Sequence, residues 1–184
     1  MPANTPRRKI IVEAATSADG YIARPDGDVT WLPAPSADKN ADLGAFAKTI
    51  DTILWGRKTY EKGIAMGMKA SWFDAGTANY VFSRTLREPL EEGFRLTVEP
   101  VKQFAEKCRA APGRNIWIMG GGELIAAFLD AGEIDEFQIC VLPIFIGEGI
   151  PLIAARHRLI PLELLSSNSL KDGSVSLHYR IKPK

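Results

Sequence analysis

Three short segments hold the residue types best suited to chemistry. Gly56-Arg57-Lys58-Thr59 follows the apolar run TILW, Ser83-Arg84 follows NYVF, and Gly120-Gly121-Gly122 follows NIWIM. Arg57 and Arg84 supply planar, permanently charged forks that grip a phosphate through paired hydrogen bonds. Thr59 and Ser83 add hydroxyls. Glycines let an anion approach the unpaired N–H groups at a helix start, where the helix dipole adds about half a positive charge. A triple glycine alone more often serves packing. Together with two basic turns it suits a ligand with separated phosphates, and NADPH, with a pyrophosphate and a 2′-phosphate, is such a ligand. The spacing matches neither GxGxxG nor GxxxxGK[ST], so a Rossmann fingerprint and a P-loop are both excluded.

Glu13 is the other chemical flag. It interrupts the apolar run KIIVEAAT. A carboxylate buried without a partner costs several kcal/mol, so Glu13 must be exposed, paired, protonated or facing a polar pocket. The histidines are only two, His157 and His178, and the cysteines only two, Cys108 and Cys140. No CxxC or Cys/His cluster occurs, which argues against zinc, any other bound metal and a disulfide framework. Cys108 lies on the apolar face of a candidate helix and reads as core. His178 lies on the polar face of a candidate strand and reads as structural.

The elements that must position these groups follow from periodicity. Strands are expected at 9–16, DTILW, NYVFS, FRLTV, NIWIM and EFQICVLPIFI, with a bend at Pro143. Helices are expected over 38–50, after GRKT, over 101–108 and from the triple glycine to Gly132. LELLSSNSL and SVSLHYRI flank the turn 171–173 and read as a hairpin. Strands alternating with helices predict a three-layer α/β/α fold, with a mostly parallel central sheet closed by an antiparallel C-terminal hairpin. The turns described above then share the carboxyl edge of the sheet, where such folds bind ligands. The long Gly/Pro/Asp-rich stretch after Thr16 reads as a loop over that edge.

Length and composition set the outer bounds. The chain has 184 residues, 23 basic and 22 acidic, for a net charge of +1. That suits a single domain over 9–184 behind a Pro- and Arg-rich mobile tail, 1–8. The neutral balance argues against a nucleic-acid partner. No 18-residue apolar stretch predicts a membrane span, no signal peptide is evident, and the free thiols fit a cytoplasmic location. The apolar run 137–146, if near a sheet edge, would favour a homodimer.

The motifs TSADGYIA, DTILWGRKTYE, YVFSRTL, IWIMGGGELIAAFL and IDEFQICVLPIFIGEGIPLI together resemble the dihydrofolate reductase superfamily. The closer match is to the C-terminal reductase domain of the bifunctional riboflavin-biosynthesis deaminase/reductase. The resemblance spans residues 9–182 and implies a dihydrofolate reductase-like fold and NADPH-dependent hydride transfer to a C=N or C=O carbon of a small heterocyclic or sugar-derived substrate. The 5-amino-6-(5-phosphoribosylamino)uracil of riboflavin biosynthesis is the model. It places Gly56, Arg57 and Thr59 on the phosphates, with Arg57 near the 2′-phosphate, and Ser83 and Arg84 at the adenosine end. Gly120, Gly121 and Gly122 would hold the pyrophosphate. Ala15 and the loop from Asp19 to Ile22 would border the nicotinamide, with residues 19–35 as a lid. Asp42, with Leu43 and Phe46, matches the helix carrying the substrate carboxylate of true dihydrofolate reductases. Asp42 is therefore the first candidate proton donor, with Glu13 and Asp38 behind it and Trp31 above the pocket. The stretch AMGMKASWFDAGTAN lacks the basic and proline motifs that riboflavin-pathway reductases carry for a ribose phosphate. Two other readings stay open: a true dihydrofolate reductase, and a non-catalytic nucleotide-binding module.

Overall fold

The computed structural model describes residues 7–33 and 43–182. The first strand, β1 (Ile10–Ser17), is followed by short β2 (Tyr21–Ala23), then β3 (Ile50–Gly56) and α1 (Arg57–Ala65). β4 (Ala78–Phe82) and β5 (Phe94–Thr97) precede α2 (Val101–Ala110), β6 (Asn115–Gly120) and α3 (Gly122–Asp130). The chain ends with β7 (Glu136–Leu142), β8 (Ile150–Pro151), β9 (Leu162–Ser169) and β10 (Val175–Ile181).

Eight strands form one sheet in the order β5-β4-β3-β6-β1-β7-β10-β9. The pairs from β5 to β7 are parallel, and β10 is antiparallel to both β7 and β9. Alternation along β1 divides the core. Ile10 and Val12 pack with Phe104, Ile125 and Phe128 of α2 and α3 on one face. Ile11 packs with Phe46, Trp55, Tyr60 and Trp117 on the other, beneath α1. The result is the expected three-layer α/β/α arrangement, with β1, β3, β4, β6 and β7 all ending at one carboxyl edge.

Several boundaries differ from the sequence-based expectation, each for a local reason. Among the described residues the helix expected over 38–50 covers 43–47 and stops short of its expected end, because Ile50 already belongs to β3 and is buried there at 2% exposure. The long strand 136–146 stops at Leu142, since Pro143 cannot donate to the ladder. The 17–36 loop contains β2, which pairs with β8. β7 is not an edge strand: β1 and β10 flank it, and β5 and β9 are the edges, so an edge role for 137–146 gives no support to a homodimer. Arg8 is also packed into the body rather than left outside it. It is 7% exposed, pairs with Asp51 and Thr52, and donates to the carbonyls of Cys108 and Arg114.

Candidate active site

α1 and α3 begin at the carboxyl ends of neighbouring strands, and neither start is capped by a side chain. Both therefore present unpaired backbone N–H groups. The two starts nearly touch: a Cβ on Gly56 would lie 3.1 Å from the Gly120 oxygen and 3.1 Å from the Gly121 nitrogen. Only a glycine at position 56 allows that approach without displacing backbone.

The three consecutive glycines serve three different needs. Gly120 has φ +120°, a conformation that side chains rarely adopt. Gly121 has an ordinary negative φ of −86°, but a Cβ there would lie 3.2 Å from the Thr59 hydroxyl. Gly122 faces the other way. Its Cβ would fall 2.5 Å from the Pro151 oxygen, and its carbonyl accepts from the Ala154 N–H at 3.1 Å. Gly122 therefore packs against the β8 segment, and Gly120 and Gly121 form the approach beside Thr59. The Thr59 hydroxyl has no protein partner among the described residues.

The basic groups differ in availability. Arg57 Nη1 donates to both Glu61 carboxylate oxygens at 2.9 Å, one helical turn away on α1. Both side chains are about 40% exposed, and such a pair contributes only about 0.3–0.5 kcal/mol. Arg84 is exposed and its side chain has no partner among the described residues. The Ser83 hydroxyl is committed to its own turn, accepting from Leu86 N at 2.9 Å and Thr85 N at 3.2 Å.

Glu13 sits in mid-β1 on the same face as Ile11 and Ala15. Trp117 Nε1 donates to its backbone carbonyl at 3.1 Å. Its carboxyl has no hydrogen-bond partner among the described residues, and burial pushes it up to about 7 from 4.5. Glu136, nearby on β7, shows the opposite outcome. Burial works against its charge, yet hydrogen bonds from Lys9 at 2.7 Å and with His178 at 3.1 Å outweigh this and hold it below its ordinary range. His178 is thus engaged structurally.

The raised Glu13 value has a stability consequence. Between about pH 4.5 and 7 the folded chain holds a proton that the unfolded chain has released, so stability falls as pH rises through that window. Glu13→Gln should therefore match the wild type near pH 4 and exceed it at pH 8 by on the order of 3 kcal/mol. Urea unfolding at the two pH values measures this. An unchanged difference between them would mean that Glu13 titrates normally.

Asp19 reaches across the loop. Its carboxylate accepts from Gly147 N at 2.8 Å and Ile146 N at 3.3 Å. The Ser17 hydroxyl first, then these N–H groups, hold the Asp19 carboxyl below its ordinary range. Ile22 lies in β2, half-buried, and Ala15 lies two residues beyond Glu13 towards the carboxyl edge, on the same face. The Trp31 indole N–H is buried without a hydrogen-bond partner among the described residues. Asp42 and Asp38 lie outside the described residues. Sequence reasoning did not single out Gln138, the register partner of Glu13 on β7, because no local pattern marks it. Among the described residues no group of three or more acidic, His or Cys side chains could hold a metal ion, and no helix is long and apolar enough to cross a membrane.

Comparison with known proteins identifies related sequences and folds. The family model described as the RibD C-terminal domain matches residues 8–176. The uncharacterised protein YwjB of Bacillus subtilis (strain 168) is 33% identical over 172 residues, covering 94% of this chain and 97% of that protein. A Shewanella sp. PV-4 structure, provisionally named a riboflavin biosynthesis protein, superposes with a TM-score of 0.78 at 26% identity, covering 95% of this chain and 99% of the other. Enterococcus faecalis dihydrofolate reductase, solved in complex with NADP(H) and RAB-propyl, superposes with a TM-score of 0.66 at 15% identity, covering 95% and 97%. The fold is dihydrofolate reductase-like.

Proposed function

Because the chain belongs to the RibD C-terminal domain family, we propose that it is an NADPH-dependent reductase acting on a C=N or C=O group of a small heterocyclic or sugar-derived substrate. The observation that carries this reading is the meeting of two helix starts, free of side-chain caps, at Gly56 and the Gly120–Gly121 peptide. Their unpaired N–H groups and the free Thr59 hydroxyl fit a pyrophosphate. Arg84 and Arg57 fit a 2′-phosphate. A hydrogen bond to a charged group contributes roughly 1.5–3 kcal/mol, more than the exposed Arg57–Glu61 pair, so phosphate wins the competition for Arg57.

When bound, the cofactor supplies the hydride. The chain supplies position and a proton. Glu13 is the donor in this reading: a largely buried carboxyl that stays protonated to about pH 7 can deliver a proton to the nitrogen or oxygen left negative by hydride addition. The first test is NADPH oxidation against a panel of dihydrofolate, the riboflavin-pathway pyrimidine and simple carbonyls. A chain that binds NADPH but oxidises it with none of these is a binding module. Arg57→Ala should weaken NADPH binding roughly ten- to hundredfold and change NADH binding little. Equal losses for both cofactors, measured by calorimetry, would remove Arg57 from the 2′-phosphate.

A further inference from the structure

The turn after β1 and the connection that leads from β7 past β8 are tied together at several points. Both Asp19 carboxylate oxygens accept from that connection, one from Gly147 N at 2.8 Å and the other from Ile146 N at 3.3 Å. On either side of Asp19, Ala18 N donates to the Ile144 oxygen at 2.8 Å, and the Gly20 oxygen accepts from Leu152 N at 3.1 Å. β2 then pairs with β8, and a Cβ on Gly149 would collide with the Ala23 oxygen. The far end of the connection is anchored on α3. Ala154 N donates to the Gly122 oxygen at 3.1 Å, and Arg156 bonds to Glu123 at 3.1 Å and to Asp130 at 2.6 Å. Residues 143–156 thus run as a strap from the end of β1 to α3.

The sheet order shows what this strap borders. Arg84 and Arg57 follow the paired strand ends Phe82 and Gly56, and the Gly120–Gly121 approach follows on β6, with β1 and then β7 next in line. A dinucleotide with its 2′-phosphate over β4 and β3, and its pyrophosphate between β3 and β6, extends its other end onward over β1, one to two strand spacings or about 5–10 Å away. There the turn 18–20 closes the carboxyl edge, and Asp19 is the one residue of Ala18-Asp19-Gly20 whose side chain can tie it down. Asp19 does not itself grip the cofactor. A carboxylate only accepts hydrogen bonds, its charge repels phosphate, and both of its oxygens are engaged. We propose that Asp19 is a positioning residue: by pinning the turn after β1 to the strap, it holds the wall against which the nicotinamide end of the cofactor lies. This rests on the NADPH-dependent reductase reading above. A wall ordered before binding spares the complex the cost of ordering it.

The test compares two ligands on the full chain. NADPH carries the nicotinamide, and 2′-phospho-ADP-ribose keeps the pyrophosphate and the 2′-phosphate without it. In calorimetry Asp19→Ala should weaken NADPH roughly three- to tenfold and leave 2′-phospho-ADP-ribose unchanged. The fragment is spared because the α3 end of the strap has its own anchors at Gly122, Glu123 and Asp130. Asp19→Asn keeps the shape and one acceptor but sets its own N–H group against the other backbone N–H, so its NADPH loss should be smaller. If Asp19→Ala does not fold, Asp19→Asn alone carries the comparison. Wild-type NADPH affinity in the folded variants overturns the proposal even where Tm falls, because the tie is then a brace of the fold alone. Parallel weakening of both ligands overturns it too, since the effect is then not confined to the nicotinamide end. A wild type that binds neither ligand removes the reductase reading, and this role with it.

Discussion

Replacing Glu13 by Gln should lower turnover at neutral pH by about 10²–10⁴-fold while leaving NADPH affinity nearly intact, because general acid catalysis typically contributes that much. Gln keeps the shape of the side chain and removes the acidic proton. In the wild type the active form is the protonated one, so the rate should fall as pH rises through about 7, the value to which burial pushes this carboxyl. The variant should lose that limb of the pH–rate profile. Stopped-flow measurement with whichever panel substrate supports NADPH oxidation separates a lost proton from a lost binding site. Asp42→Asn is the necessary companion, since Asp42 sits just before the helical turn 43–47 whose Phe46 packs edge-on against Trp117 at 5.3 Å. If Asp42→Asn shows the loss and Glu13→Gln turns over normally, the donor is Asp42 and Glu13 only shapes the pocket.

The adjacent glycines 121 and 122 should give opposite phenotypes. Gly121→Val should leave a folded chain that no longer binds NADPH, with a loss exceeding about a hundredfold, equivalent to roughly 3 kcal/mol. Its backbone conformation suits any residue, so the chain tolerates the change, but the added branches project beside Thr59 over the uncapped start of α3. Gly122→Ala should instead destabilise the fold. A methyl group 2.5 Å from a backbone oxygen must push Pro151 and Ala154 away from α3, and overpacking of this kind costs about 1–3 kcal/mol or more. In a chain of this size that lowers Tm by roughly 3–10 °C. A Gly121→Val protein that binds NADPH as the wild type does would mean that the turn serves packing alone.

The contrast marks how far local sequence information reached. GRKT and GGG announced strand-to-helix turns because glycine and charge act locally, and the alternating runs placed most of the strands and helices α1, α2 and α3. The division of labour among the glycines was not legible, since it depends on Thr59 and Pro151, which approach only in three dimensions. Glu13 stood out because a lone carboxylate breaks an apolar run. Gln138 did not, because an amide in EFQICV is unremarkable until the register sets it against Glu13. The Arg57–Glu61 pair could have been read from its i, i+4 spacing. The helix drawn through Ile50 and the strand drawn through Pro143 ran too long for one reason: apolar residues continue past both boundaries, and hydrophobicity alone does not say where an element stops.

The position of β1 in the sheet bears on how the protein is made. β1 is made well before both of its neighbours, β6 and β7, which lie beyond residue 114. At roughly 5–20 residues per second, synthesis of the intervening chain takes on the order of 5–25 s. Throughout that time Ile10, Ile11 and Val12, all buried in the finished sheet, have no strand to pair with. The segment that carries Glu13 is therefore the one most exposed to misassociation during biogenesis, and a nascent chain arrested before β7 should be a ready client for chaperones that hold apolar strands. The β1–β7 ladder therefore closes only after β7 has been made.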